Sequence, residues 1–278
     1  MKCSLLAIFV AALSLAGCGV SNRSVSTPAD IGITGNWQLS LSSSNAPSVV
    51  GATYGIYLTQ TGSNVTGIIG MQQFYRMCVP PTGPDCAFPY GDIALELTGT
   101  IDADGNIVLN AVPYSGGIAS FSITASTTDN DTFNGTYSIT ETIVSGTYSD
   151  HGTISGYVVP NINGTYAGTV KSYPTGLNLT MGLTTTLSQT SSPGSDGSLQ
   201  VNGSATFTGS PCFGSTTVPQ PGGLLGDELV VDFIPTGSPS TTIILSGTLS
   251  PDPQTMLVEY SVLGACGTDL GSGTLTRQ

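Results

Sequence analysis

The chain has 278 residues, with 5 basic and 17 acidic side chains and a formal net charge of −12. Nucleic-acid binding needs a basic footprint, which this balance excludes, and an anionic lipid surface would likewise repel the folded part. Only 8% of residues are charged while Ser and Thr number 72, so solubility rests on hydroxyls and backbone, a mix that suits strands and turns.

The amino terminus carries Lys2, an apolar run from Leu5 to Leu15, and then small residues. That is the layout of a secretory signal, and it is shorter than the ~20 apolar residues of a spanning helix. Its end, Leu15-Ala16-Gly17-Cys18, resembles the lipobox of bacterial lipoproteins. The resemblance implies removal of residues 1–17, a diacylglycerol on the Cys18 thiol and an acylated new amino group, with chains of the palmitate kind. One acyl chain binds a membrane marginally, at ~0.8 kcal/mol per buried methylene, whereas two or three anchor it stably. Gly19 stands where inner-membrane members of that family carry Asp, which implies outer-membrane placement in a bacterial envelope. Residues 18–31 are polar and unpatterned and read as a flexible tether.

The rest is long for one domain and comfortable for two of ~125 residues. No window carries a helical period. Apolar residues instead alternate with polar ones: Ile93, Leu95 and Leu97; Phe121, Ile123 and Ala125; Leu177, Leu179 and Met181; Leu229, Val231 and Phe233; Met256, Val258, Tyr260 and Val262. Asp104-Gly105, Asn134-Gly135, Asp196-Gly197 and Asn202-Gly203 supply hairpin-turn signals. The fold class is all-β and antiparallel.

The second half repeats the first. Ile33-Thr34-Gly35-Asn36-Trp37 matches Ile162-Asn163-Gly164-Thr165-Tyr166, and Leu58-Thr59-Gln60-Thr61 matches Leu187-Ser188-Gln189-Thr190, both at an offset of 129. Further along, Gly91-Asp92 aligns with Gly226-Asp227, Tyr137-Ser138-Ile139 with Tyr260-Ser261-Val262, and Gly152-Thr153-Ile154 with Gly273-Thr274-Leu275. In this alignment the first unit is longer around Asp102 to Asn106, which reads as an added hairpin. The expected domains are 32–160 and 161–278, tandem units of seven to eight strands each, as up-and-down barrels or, alternatively, β-sandwiches. Gly35-Asn36-Trp37 resembles the first strand of lipocalins and avidin-like barrels, where the Trp plugs one end; Gly164-Thr165-Tyr166 departs from it. The resemblance implies barrels and brings no ligand.

Few residues along the chain could carry chemistry. With His151 the only histidine, a nucleophilic triad would depend on it, yet Asp150 beside it points to the opposite face of a strand, so His151 reads as an exposed hairpin residue. Asp92 and Asp227, backed by Glu96 and Asp232, are the best candidates for glycan hydrolysis, but they read rather as Gly-Asp turns entering strands with the later acids on the wet face. Asp102, Asp104 and Asn106, and Asp129 with Asp131, lack the EF-hand register and read as hairpin tips. Tyr54, Tyr57, Phe74, Tyr75, Arg76, Phe88 and Tyr90 cluster in one stretch; they either line a barrel mouth that takes a sugar or an apolar ligand, or belong to the core. No catalytic residue, metal or cofactor is expected. The expected partners are the membrane, through the N-terminal lipid, and a small molecule, a glycan or another envelope protein.

Cys78, Cys86, Cys212 and Cys266 remain after Cys3 leaves with the signal and Cys18 takes lipid. In an exported chain these four imply disulfides, with three possible connectivities. Cys78 and Cys86 enclose a Pro-rich loop suited to a local clamp, which leaves Cys212 with Cys266. On loop entropy the short bridge contributes ~2.6 kcal/mol and the long one ~4. A non-reducing peptide map is expected to keep Cys78 and Cys86 on one fragment, and removal of the Cys212–Cys266 bridge is expected to lower stability more; a link from Cys78 or Cys86 to the second unit refutes the pairing.

Overall fold

In a computed structural model of the chain, the described residues are 31–45, 52–71, 93–112, 118–143, 146–173, 178–210, 215–217, 221–237, 240–252, 254–264 and 267–278. Every regular element among them is a strand. The first eight are β1 (Gly35–Ser43), β2 (Ala52–Thr61), β3 (Asn64–Met71), β4 (Ile93–Ile101), β5 (Asn106–Ala111), β6 (Ile118–Ser126), β7 (Thr132–Ile143) and β8 (Gly146–Val158). Each pairs antiparallel with the next and β8 returns to β1, closing an up-and-down barrel.

A second barrel follows, of β9 (Gly164–Ser172), β10 (Thr180–Pro193), β11 (Leu199–Thr208), β12 (Ser215–Thr217), β13 (Gly222–Leu225), β14 (Glu228–Pro235), β15 (Thr242–Leu249), β16 (Thr255–Leu263) and β17 (Asp269–Arg277). The short β12 and β13 share one place between β11 and β14, each pairing with both. Pairing of β10 with β11 and of β9 with β17 completes the ring, so this barrel too has eight strand positions. The architecture is tandem barrels, not sandwiches.

Alternation decides what lies inside. Phe121, Ile123 and Ala125 on β6, and Met256, Val258, Tyr260 and Val262 on β16, are buried while their neighbours along the strand are not. An eight-stranded barrel is just wide enough for side chains to fill it. Trp37 is fully buried in the first barrel, where its indole N–H donates to the Ile33 carbonyl at 2.9 Å and its ring lies 5.2 Å from that of Phe133.

The two barrels begin alike. Gln60 Oε1 accepts from the Ile33 amide at 3.0 Å, and Gln189 Oε1 from the Ile162 amide at 2.8 Å. In return the Gln60 amide donates to Thr34 Oγ1 at 2.9 Å and the Gln189 amide to Asn163 Oδ1 at 2.6 Å. The repeated Gln therefore ties the segment entering each barrel to its second strand.

Two sequence alignments and two expected turns need correction. Gly226-Asp227 forms the turn between β13 and β14, whose counterpart by strand position is the β4–β5 turn at residues 102–105. The Asp102 turn is thus integral to the barrel rather than an added hairpin, and Asp92 lies outside the described residues. At the last strand, Gly152 faces Tyr137 and Ser43, as Gly271 faces Tyr260 and Ser172, so Gly152 corresponds to Gly271 rather than Gly273. Finally, Asn134-Gly135 and Asn202-Gly203 lie within β7 and β11. A Cβ at Gly135 or Gly203 would come within 2.1 or 2.2 Å of a neighbouring carbonyl oxygen, so these glycines permit close strand approach instead of turning the chain.

The second barrel docks its β13–β14 turn on the outer face of β1. Asn36 and Gln38 alternate with the inward Trp37 and Leu39, yet both are buried. The Asn36 side chain donates to the Gly226 carbonyl at 2.8 Å and accepts from its amide at 2.7 Å, while Gln38 Oε1 accepts from the Asp227 amide at 2.9 Å. Gly226 has a φ of +61°, and a Cβ there would lie 2.0 Å from Gln38 Oε1 and 2.6 Å from the Gly55 Cα. Only glycine fits this approach. Asn36→Ala, which strips both groups of Gly226 of these partners, is expected to cost about 1–3 kcal/mol in urea unfolding, and Gly226→Ala at least as much. Wild-type stability in both variants would show that the turn does not hold the barrels together.

Candidate functional site

The seam that closes each barrel carries a matching polar cluster. In the first, Ser43 ends β1, Tyr137 lies on β7 and Asp150 on β8. Ser43 Oγ donates to Asp150 Oδ1 at 2.7 Å and Tyr137 Oη to Asp150 Oδ2 at 2.7 Å. Asn45 Nδ2 also donates to Asp150 Oδ1, at 3.0 Å. Buried Tyr54 lies close enough for the Asp150 charge to act on it.

In the second barrel Ser172 ends β9, Tyr260 lies on β16 and Asp269 begins β17. Ser172 Oγ and Tyr260 Oη donate to Asp269 Oδ2 at 2.9 and 2.8 Å, and the two hydroxyls are 3.1 Å apart. Asp269 is only 1% exposed. The serines share the offset of 129, the tyrosines one of 123 and the aspartates one of 119, so the constellation is duplicated although its spacing is not.

Both phenols hold their protons tightly. Burial pushes the Tyr137 phenol well above its ordinary range, and its hydrogen bond to Asp150 adds to the shift. Burial pushes the Tyr260 phenol up to about 12, with Asp269 adding to the push against Ser172. Both phenols therefore stay protonated and donate. Among the described residues each cluster sets one carboxylate against a serine and a tyrosine hydroxyl, both of which donate to it. Spanning the first, seventh and eighth positions of each barrel, the clusters fasten the closing seam.

The residues singled out from the sequence fall elsewhere. Tyr57 is not at a mouth: three positions from the inward Tyr54 on β2, it faces outward, packs against the second barrel and donates to the Ser191 carbonyl at 3.3 Å. Phe74, Tyr75, Arg76, Phe88 and Tyr90, together with Cys18 and the four expected disulfide cysteines, lie outside the described residues. Asp227 does not pair with Asp232 as two carboxylates flanking a substrate. It lies in the contact between the barrels, accepting from Tyr157 Oη at 3.0 Å, and burial pushes its carboxyl up, whereas Asp232 is exposed on β14. Glu96 is exposed on β4, and His151 is exposed on β8, opposite Ser138 in the β7–β8 hairpin.

Asp102 Oδ1 accepts the amides of Asp104 and Asn106, both at 2.9 Å, and Asp129 Oδ1 those of Asp131 and Thr132, at 2.9 and 2.7 Å. These bonds, with that from the Asn106 side chain foremost at Asp102, hold both carboxyls below their ordinary range, which is the chemistry of turns. Among the described residues no three His, Cys, Asp or Glu side chains gather as a metal site. Sequence reading missed the seam clusters because Asp150 and Asp269 align only once the last strand is shifted by two residues; the repeated Tyr137 and Tyr260 were the available signal.

No protein-family model matches the chain, and no curated protein matches it. Among solved structures it is similar to the crystal structure of a protein of unknown function from the DUF3598 family of Nostoc punctiforme PCC 73102. The identity is 10%, with 88% of this chain and 96% of that one covered, at a TM-score of 0.25. Neither the fold nor the chemistry of this chain rests on that likeness.

The raised Tyr260 pKa makes stability depend on pH. The folded state holds this proton more tightly than the unfolded one, so the contribution is complete below the ordinary value of 10.0 and is lost as pH rises through about 12. Tyr260→Phe is expected to cost about 1–3 kcal/mol at neutral pH and to flatten the fall in melting temperature above about pH 10. An unchanged alkaline slope in the variant refutes the assignment.

Proposed function

We propose that this chain is a lipid-anchored, exported protein of the bacterial envelope, held at the outer membrane through Cys18, and that its two barrels have a non-catalytic binding or scaffolding role. The anchor is supported by the lipobox-like Leu15-Ala16-Gly17-Cys18 after a short apolar run. The non-catalytic role is supported above all by the barrel interiors. Side chains such as Trp37, Phe121, Phe233 and Tyr260 fill them, and the carboxylates of the seam clusters are held by hydroxyls. An interior so occupied provides rigidity and leaves recognition to the outer surface.

The test is mass and fractionation of the chain expressed in a lipoprotein-processing bacterium. The wild type is expected in the membrane fraction, beginning at Cys18 and carrying diacylglycerol and N-acyl mass. Cys18→Ala is expected to lose both the acyl mass and the membrane association. Retention of either in the variant overturns the anchor.

A further inference from the structure

The joint between the barrels brings a carboxylate against a surface that has no charge to meet it. The first barrel presents β1, β2 and β3 to the β13–β14 turn, and these three strands contain no Asp, Glu, Lys, Arg or His. The approach is close: a Cβ at Gly55 on β2 would lie 2.4 Å from the Leu225 carbonyl carbon, and one at Gly70 on β3 would lie 2.3 Å from Leu225 Cδ2. The bonds across the joint are made by the Asn36 and Gln38 amides and the main chain of Gly226 and Asp227. Asp227 is delivered into this neutral contact by the turn itself.

The ionisable groups around Asp227 give its charge little support. Tyr157 on β8 donates to Oδ2 at 3.0 Å, and among the described residues it is the only side chain that donates to this carboxylate. Tyr57 on β2 donates instead to the Ser191 carbonyl. Glu228, the next residue, is exposed and lies opposite Thr248 on β15, a strand with no charged residue. Asp131, which precedes β7 beside the Tyr157 position, is exposed as well. On β8, Asp150 is held in the seam cluster and exposed His151 lies six positions from Tyr157, about 20 Å along the strand. The described cations, Lys171 and Arg277, belong to β9 and β17.

We propose that the joint is an acid-tightened latch, in which a proton from solvent on Asp227 holds the β13–β14 turn more firmly against β1. With the barrels apart, the carboxylate is hydrated; docked, it exchanges that hydration for one phenol, whereas the neutral acid gives up far less. Burial accordingly pushes the carboxyl up, opposed by the Tyr157 hydrogen bond. The docked state therefore keeps this proton at a pH where separated barrels have released it. The gain is complete below the ordinary value of 3.8 and is lost as pH rises through the higher value of the docked state. Asp102, Asp129 and Asp252 act with the opposite sign, but hydrogen bonds within their turns hold them low, so their contribution is lost only below the ordinary value.

The test is amide hydrogen exchange in the full chain, followed at Gly226 and Asp227. Both amides donate to side chains of the first barrel, so their protection reports docking. Protection, taken relative to the intrinsic rate at each pH, is expected to rise about two- to fivefold from about pH 7 to about pH 4, the scale of a partly exposed charge. Asp227→Asn, uncharged throughout, is expected to lose this response. Tyr157→Phe, which removes the opposing donor, is expected to enlarge it. Protection that stays flat or falls on acidification overturns the proposal. So does a wild-type response in Asp227→Asn, which would assign the effect to other groups, or an undiminished but unenlarged response in Tyr157→Phe.

Discussion

Ring closure is the constraint on which everything else depends. A strand at the edge of a sheet exposes unpaired amides and carbonyls, and pairing β8 back onto β1, and β17 onto β9, removes both edges at once. Closure leaves an interior only wide enough for side chains, so each strand must alternate strictly. At the seam that alternation admits a carboxylate with its hydroxyl donors. A buried carboxylate costs several kcal/mol unless its oxygens are satisfied, and Asp269 meets this cost with hydroxyls from the strands on either side. A one-residue slip of β17 would turn Asp269 away from Ser172 and Tyr260 and leave those hydroxyls without it. The clusters thus specify the register at the strand pair where a barrel is most free to close wrongly.

The joint between the barrels follows from the same geometry by a different route. Outward positions on a closed barrel belong to water, and Asn36 and Gln38 on β1 are polar as that rule requires. Both are nonetheless buried, because a turn from the second barrel lies over them. The Asn36 amide meets the Gly226 backbone through a donor and an acceptor together, much as a strand partner would. Gly226, with its positive φ and no side chain, is what allows the backbone to come so near. A joint made from side-chain amides and main-chain groups is directional, so it sets an orientation where an apolar contact of the same area would permit sliding.

Much of this was legible in the residues. The two-residue period identified the strands. Gln60 and Gln189 stood out as a repeated pair, and they recur because each satisfies the same entering amide. What was not legible depends on pairing between distant strands. Asn134-Gly135 has the composition of a turn, and only the proximity of the Thr124 carbonyl explains a glycine there within a strand. Tyr54 and Tyr57 belong to one aromatic stretch, yet their separation of three positions sends one inward and the other to the second barrel. The seam aspartates escaped notice because they differ in offset from their partners, and only the register of β8 and β17 brings them together.

The distribution of charge then bears on where recognition can occur. With the barrel interiors given over to packing, the carboxylates there are spent on hydroxyl donors, and the phenols beside them are held protonated. Among the described residues the charged side chains that face solvent lie on outward positions and turns. Most outward positions of the second barrel are Ser or Thr, as an exposed sheet allows. Leu257 departs from that rule, standing 63% exposed on β16 with the Glu259 carboxylate next along the same face. An exposed leucine alone has no consequence. Leu257 adjoins Glu259, whose carboxylate accepts from the Tyr173 hydroxyl at 3.1 Å.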